Sequence, residues 1–209
     1  MSRWPNNDLA QNNDPHVIAW MNKYLKHGDI FYDLGANRGD MSIYANHLGA
    51  RAVAIEPLPS IFVELGNRIG HDNNNILINA AVWDKYEPLL LSLSDGAPQV
   101  EVGNSIHDDI DVTCHSAKIY VIGLPLDELV KQYGIPLPDM VKCDTQGSEV
   151  RFLLGAKRTL ENCKYLILEK AGSLLERNGN TIEEMYSICR NYGYKIIDST
   201  PMDVLMERK

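Results

Sequence analysis

The sequence predicts an α/β protein built on a doubly wound, seven-stranded, mostly parallel sheet with an antiparallel terminal strand. Three observations predict it. Short apolar runs alternate with amphipathic runs of helical period along the chain. Several of those apolar runs end in an acid, at Asp33, Glu56, Asp144 and Glu169. A glycine loop, Asp33-Leu34-Gly35-Ala36-Asn37-Arg38-Gly39, joins the first apolar run to the first helix behind it. In such sheets, ligands sit outside the carboxyl ends of the strands.

Residues 1–13 are polar, with Pro5 and several Asn, and are expected to be a flexible arm. Residues 14–209 are expected to form one domain, because a chain of 209 residues fits one hydrophobic core. Asp14-Pro15 suits a helix start, and His16 to Lys26 carries Val17, Ile18, Trp20, Met21, Tyr24 and Leu25 at helical spacing, stopped by Gly28. Ile30 to Tyr32 is the first strand, Asp40 to Leu48 the helix after the loop, and Ala52 to Ile55 the second strand. Pro57 to Ile69 crosses back as a helix, and Asn75 to Val82 is expected as a third strand. Leu89 to Leu93 alternates and suggests an additional strand. Residues 95–117 are irregular and too long for an idle connection, so they are expected near a binding site.

Ile119 to Gly123 is a further strand, and Leu126 opens a short helix that Gly134 ends, with Asp127 expected to cap it or to salt-bridge there. Pro136 and Pro138 break the chain before the strand Met140 to Cys143. The helix Val150 to Leu160 is expected to bury Val150, Leu153, Leu154 and Ala156. Tyr165 to Leu168 is a strand ending in Glu169, and Thr181 with Glu184 forms a capping box for the last helix. Tyr194 to Ile197 and Asp203 to Met206 close the sheet as a hairpin-like pair.

Lys plus Arg number 20 against 28 Asp plus Glu, a net charge of −8. With no basic run, a nucleic-acid partner is not expected. No apolar run approaches the ~18 residues of a membrane span and no signal peptide is visible, so no membrane partner and a cytoplasmic, reducing setting are expected. Cys114, Cys143, Cys163 and Cys189 form no Cys-x-x-Cys pair, and their apolar neighbours suggest buried thiols; no metal is expected.

Gly35 and Gly39 let the backbone turn tightly and approach a ligand, and the helix behind offers unpaired N–H groups. Glu56 is placed to accept hydrogen bonds from ribose hydroxyls. The Gly-x-x-x-Gly spacing departs from the Gly-x-Gly-x-x-Gly of dinucleotide sites, and Asp33 would repel a pyrophosphate. A cationic ligand carrying adenosine accepts both acids, which points to S-adenosyl-L-methionine (SAM).

The stretches Asp-Leu-Gly-Ala-Asn-Arg-Gly, Ala-Ile-Glu-Pro and Lys-Cys-Asp-Thr-Gln-Gly-Ser-Glu resemble the FkbM family of class I SAM-dependent methyltransferases, over roughly residues 28–169. That resemblance implies a cofactor site at Asp33, Gly35, Ala36, Asn37, Gly39, Glu56, Pro57, Asn79, Ala80, Ala81, Ser105 and Asp144. Asn79 or Trp83 would meet the adenine. It also implies transfer to a hydroxyl on a sugar or natural-product small molecule; with 209 residues leaving little room for a substrate domain, a monomer or weak homodimer is expected.

A hydroxyl acceptor must lose a proton, and the candidate bases are Asp144 first, then Glu169, then His107. Lys142 is expected either to alternate to the other face of its strand or to hold a charged substrate. The family commonly has Asp-Val-Glu-Gly where this chain has Asp144-Thr145-Gln146-Gly147. Gln146 cannot act as a base. The alternatives are a related protein without catalysis, a nitrogen acceptor, and a nicotinamide-dependent oxidoreductase on a similar sheet.

Overall fold

The computed structural model describes residues 15–69, 74–92, 118–170 and 172–209. The expected arm, Ser105, His107 and Cys114 lie outside these described residues.

The chain begins with α1 (Pro15–Tyr24), β1 (Ile30–Leu34), α2 (Asp40–His47), β2 (Arg51–Ile55), α3 (Pro59–Ile69) and β3 (Ile76–Ile78). It continues with β4 (Ala81–Val82), β5 (Glu87–Ser92), β6 (Lys118–Leu124), α4 (Leu126–Tyr133) and β7 (Met140–Cys143). Next come α5 (Glu149–Gly155), α6 (Lys157–Leu160), β8 (Tyr165–Glu169), α7 (Gly172–Arg177), α8 (Ile182–Asn191), β9 (Tyr194–Ser199) and β10 (Asp203–Arg208).

Seven strands form one sheet in the order β3-β2-β1-β7-β8-β10-β9. The five from β3 to β8 run parallel, and β10 runs antiparallel to both β8 and β9. The central strands are buried on both faces, which is why they read as continuous apolar runs rather than alternating ones. Successive residues still divide between two cores. Phe31, Met140, Ile167 and Leu205 pack under α1 and α2 with Val17, Trp20, Met21 and Ala45. Tyr32, Val141, Leu166 and Val204 face Leu126, Leu129, Phe152, Leu153 and Met185 on the other side.

The α1 helix therefore covers the sheet, and Trp20 Nε1 donates to Asp198 Oδ2 at 2.8 Å to hold it there. The helix α4 starts and ends as expected, with Gly134 as a left-handed C-cap. At α8, Thr181 Oγ1 accepts the Glu184 N–H at 3.1 Å, which is the N-cap half of the expected box. Cys143, Cys163 and Cys189 are buried free thiols.

Three expectations are corrected. The stretch from Asn75 to Val82 is two strands rather than one. β3 stays in the main sheet, while β4 leaves it and pairs with β6 in a second sheet of order β4-β6-β5. The break falls at Asn79, whose amide Nδ2 donates to the carbonyls of Glu56 (2.8 Å) and Pro57 (3.0 Å). A side chain that bonds backbone in this way competes with the ladder. The stretch from Val150 to Leu160 is two helices, divided at Ala156, and Leu154 lies half exposed rather than in the core. Asp127 caps a different helix from the one expected. Its carboxylate accepts from the Arg158 and Thr159 N–H groups and from Thr159 Oγ1, all at the start of α6.

The second sheet is fixed to α5, the helix packed on the main sheet, by a close backbone contact. A Cβ on Gly155 would lie 2.0 Å from the Trp83 carbonyl oxygen, so only glycine fits. Alanine has the better helix propensity by roughly 0.5–1 kcal/mol, but overpacking against rigid backbone costs roughly 1–3 kcal/mol. Gly155→Ala is therefore expected to lower the unfolding free energy in a denaturant titration. An unchanged or raised value would show that the sheets separate freely at this point.

Candidate functional site

Strand register alone assembles the site. Ala54, Asp33, Lys142 and Ile167 lie side by side across β2, β1, β7 and β8. Two residues further along the strands comes a row of Glu56, Gly35, Asp144 and Glu169, and Asp203 of β10 pairs with Glu169 at its end. Side-chain alternation puts i and i+2 on one face, so Asp33, Glu56, Asp144 and Glu169 share the α1/α2 side of the sheet. The four acids expected on one rim are brought together there.

Gly35 lies between Glu56 and Asp144 because nothing larger fits. A Cβ there would sit 1.9 Å from the Asp144 carbonyl oxygen, and its φ of +74° is left-handed. The Gly35 and Ala36 N–H groups both donate to the Ile55 carbonyl at 3.0 Å, folding the loop over the end of β2. Asn37 is also left-handed, at φ 49°, and Gly39 at φ 83° stands before α2. Arg38 pairs with Glu64, and Arg68 bonds the Arg38 carbonyl and Asp40.

Glu56 is buried and already holds two backbone donors, Asn37 N–H on Oε2 and Leu58 N–H on Oε1, each at 2.9 Å. Burial pushes its carboxyl up to about 7, against the pull of those two donors. Asp33 is 1% exposed. Its Oδ2 accepts from Ser42 Oγ of α2 at 2.7 Å, while Oδ1 has no partner among the described residues. Burial raises its carboxyl, and the Lys142 ammonium opposes that.

Lys142 did not go to the other face. It stands two residues before Asp144 and so must share its face, which is the physical error in the expectation. Its ammonium donates to Asp144 Oδ2 at 3.0 Å and lies beside Asp33, with the stem buried. It is occupied as a counter-ion and is not free to hold a charged substrate.

Gln146 is the other residue whose position sequence reasoning missed. Its amide Nε2 donates to Asp144 Oδ1 (2.9 Å) and to Glu169 Oε2 (3.0 Å), linking the ends of β7 and β8. Its φ of 55° is left-handed, a conformation costing a non-glycine residue roughly 1–2 kcal/mol. The turn around it is held from both sides. Glu149, fully buried, accepts from Thr145 N–H, Thr145 Oγ1 and Gly147 N–H. Asn178 Nδ2 donates to the Gly147 carbonyl at 2.8 Å, and α7 leaves no room for a side chain at Gly147. The Thr-Gln-Gly-Ser spacing signalled a turn, but no sequence rule predicts which strand end its side chain reaches.

Asp144 and Glu169 are therefore separated in protonation. Burial works against Asp144 ionisation, yet Lys142 and the hydrogen bonds around it hold its carboxyl below the usual range. Burial and the Asp144 charge push Glu169 up to about 9. Among the expected adenine contacts, Ala80 and Ala81 are buried and Asn79 is spent on backbone. Trp83 is also buried, donates to Glu87, and lies under the Arg151 guanidinium. Among the described residues no group of three His, Cys, Asp or Glu side chains is arranged to hold a metal. Among the described residues no helix is long and apolar enough to cross a membrane.

The sheet is of the class I methyltransferase type, with an acidic rim at the carboxyl ends of its strands. Residues 33–196 match the model of the methyltransferase FkbM domain, and the chain belongs to that family. The hexuronic acid methyltransferase AglP of Haloferax volcanii is 25% identical over 166 residues, covering 79% of this chain and 65% of that protein. The FkbM methyltransferase of Methylobacillus flagellatus superposes with a TM-score of 0.56 at 17% identity, covering 86% of this chain and 43% of that one. The SAM-bound magnesium protoporphyrin IX methyltransferase of Synechocystis gives 0.55 at 13% identity, covering 100% and 87%. The chain thus spans about two thirds or less of the length of the first two.

Glu169 carries a pH signature. Its folded carboxyl is raised above the ordinary 4.5, so the folded state favours its protonated form. That contribution to stability is complete below about 4.5 and is lost as pH rises towards about 9. Denaturant titrations from pH 5 to 9 should show the wild type losing stability with a slope that Glu169→Gln flattens. Parallel profiles would overturn the assignment.

Proposed function

We propose that this protein is a SAM-dependent methyltransferase that methylates a hydroxyl of a sugar or natural-product small molecule. The observation that carries the reading is the row Glu56, Gly35, Asp144 and Glu169, with Asp33 and the left-handed loop behind it. The family supports methyl transfer, and SAM-bound neighbours on the same fold support the cofactor. The residues present suit it. Gly35 lets the loop pack directly on the Asp144 backbone, and Glu56 offers remaining lone pairs to two ribose hydroxyls. Asp33, with Oδ1 unpartnered, and the partly exposed Asp144 suit a cationic methionine end. On this reading Gly35, Ala36, Asn37, Gly39, Pro57, Asn79, Ala80 and Ala81 would complete the cofactor site, with Ser105, outside the described residues, a further candidate.

Bound SAM supplies an activated methyl, which passes to the acceptor oxygen while the carbon–sulfur electron pair stays on sulfur. The chain aligns the two partners, and alignment supplies roughly 7–11 kcal/mol of such a barrier. As the oxygen–carbon bond forms, the hydroxyl proton becomes strongly acidic and passes to a carboxylate. Asp144 serves as that acceptor, with Glu169 beside it and His107 a further candidate. The uronic-acid relative supports a sugar acceptor.

Isothermal titration with SAM should show saturable binding. Glu56→Gln should weaken it roughly 10- to 100-fold, because a hydrogen bond to a charged group contributes about 1.5–3 kcal/mol. Asp33→Ala should weaken it as well. A panel of sugars and phenols scored by S-adenosylhomocysteine release should yield an acceptor. Absence of SAM binding in folded protein would sink the proposal.

A further inference from the structure

One amide joins two carboxyl groups of this site. Gln146 Nε2 lies 2.9 Å from Asp144 Oδ1 and 3.0 Å from Glu169 Oε2. This orientation gives the ionised Asp144 a donor, and it leaves Gln146 Oε1 buried with no partner among the described residues. The other oxygen of Asp144 is held by Lys142 at 3.0 Å. Asp144 thus carries one donor on each oxygen, whereas Glu169 takes a single one from the described residues, on Oε2.

The backbone is arranged for this side chain. Gln146 sits in the left-handed region, and Gly147 follows at φ 99° under Leu174 of α7. Glu149 and Asn178 hold the turn from below and above, so the turn does not need the Gln146 side chain to close it. The amide is free to serve the acids alone.

We propose that Gln146 is a positioning residue whose amide, donating to both carboxyl groups at once, decides which of them meets the acceptor hydroxyl as its base. This rests on the methyltransferase reading given above. Asp144, pinned by Lys142 and Gln146, stays ionised and keeps a free lone pair for the hydroxyl proton. Glu169 keeps its own proton and donates it to Asp144, which further favours the ionised Asp144. The charged and titratable groups around the pair are Asp33 of β1, Glu56 after β2, Lys142 of β7 and Glu149 of α5. Of these only Lys142 is cationic, so its charge and the Gln146 amide favour the ionised Asp144. Without the amide, Asp144 would keep Lys142 but lose one of its two donors, and its carboxyl would rise towards that of Glu169.

Two substitutions separate this role from a structural one. Gln146→Asn suits the left-handed backbone and keeps the amide, but is one methylene too short to bridge both acids. Gln146→Glu keeps the reach and replaces the donors by an acceptor. Carboxyl titration by 13C NMR on the full chain, with resonances assigned through Glu169→Gln and Asp144→Asn, needs neither SAM nor an acceptor. The wild type should show two widely separated midpoints, Asp144 low and Glu169 high. Gln146→Asn should bring the Asp144 midpoint upwards and narrow that separation. Gln146→Glu should add proton uptake near neutral pH. Unchanged midpoints in folded Gln146→Asn would overturn the proposal, as would wild-type midpoints that coincide. A SAM titration on the same samples tests the methyltransferase reading separately, so either idea can fail while the other stands.

Discussion

Carboxyl groups crowded at the ends of parallel strands repel one another, and the buried ammonium of Lys142 is what allows this site to fold. It stands between Asp33 and Asp144, on strands adjacent in register. A charge with a side-chain exposure of 9% is tolerable only when paired and hydrogen-bonded. Around that pair the remaining acids take neutral donors rather than further cations, with Asp33 Oδ1 and Glu149 Oε2 left unpartnered among the described residues. Glu56 and Glu149 take backbone N–H groups, Glu169 takes an amide, and Asp33 takes a hydroxyl. Neutral donors thus do most of the electrostatic work. They compensate charge locally without the long side chains that would fill a ligand cleft.

The sheet is the scaffold for this chemistry because register, not loop conformation, sets the spacing of the acids. A one-residue slip of β7 against β1 would turn Asp144 to the opposite face. The apolar neighbours that alternate with the acids, Leu34, Cys143 and Leu168, are buried in the larger core. Core packing and site geometry are therefore the same constraint seen from two faces.

Much of this was legible in the sequence. Apolar runs ending in acids gave the central strands, and the glycines of the Asp33 loop announced backbone that no other residue adopts. Two kinds of feature were not legible. The split at Asn79 depends on a tertiary competitor, an amide bonding the Glu56 and Pro57 carbonyls, which local pattern does not encode. Leu154 fits the helical period of a single long helix, and its exposure follows from the break at Ala156. The Lys142 error was one of periodicity, whereas the reach of Gln146 to Glu169 spans 23 residues of sequence and needed the sheet to be seen.

The strand order has a further consequence, for assembly. β9 is hydrogen-bonded to the main sheet only through β10, which follows it in sequence and lies between it and β8. The two strands meet across a short local turn, so their hairpin closes at little entropic cost before docking. The pairing with β8 is the step that joins them to the rest, and it places Asp203 opposite Glu169. Anything that unseats β10 removes two strands at once and opens the end of the acidic row to water.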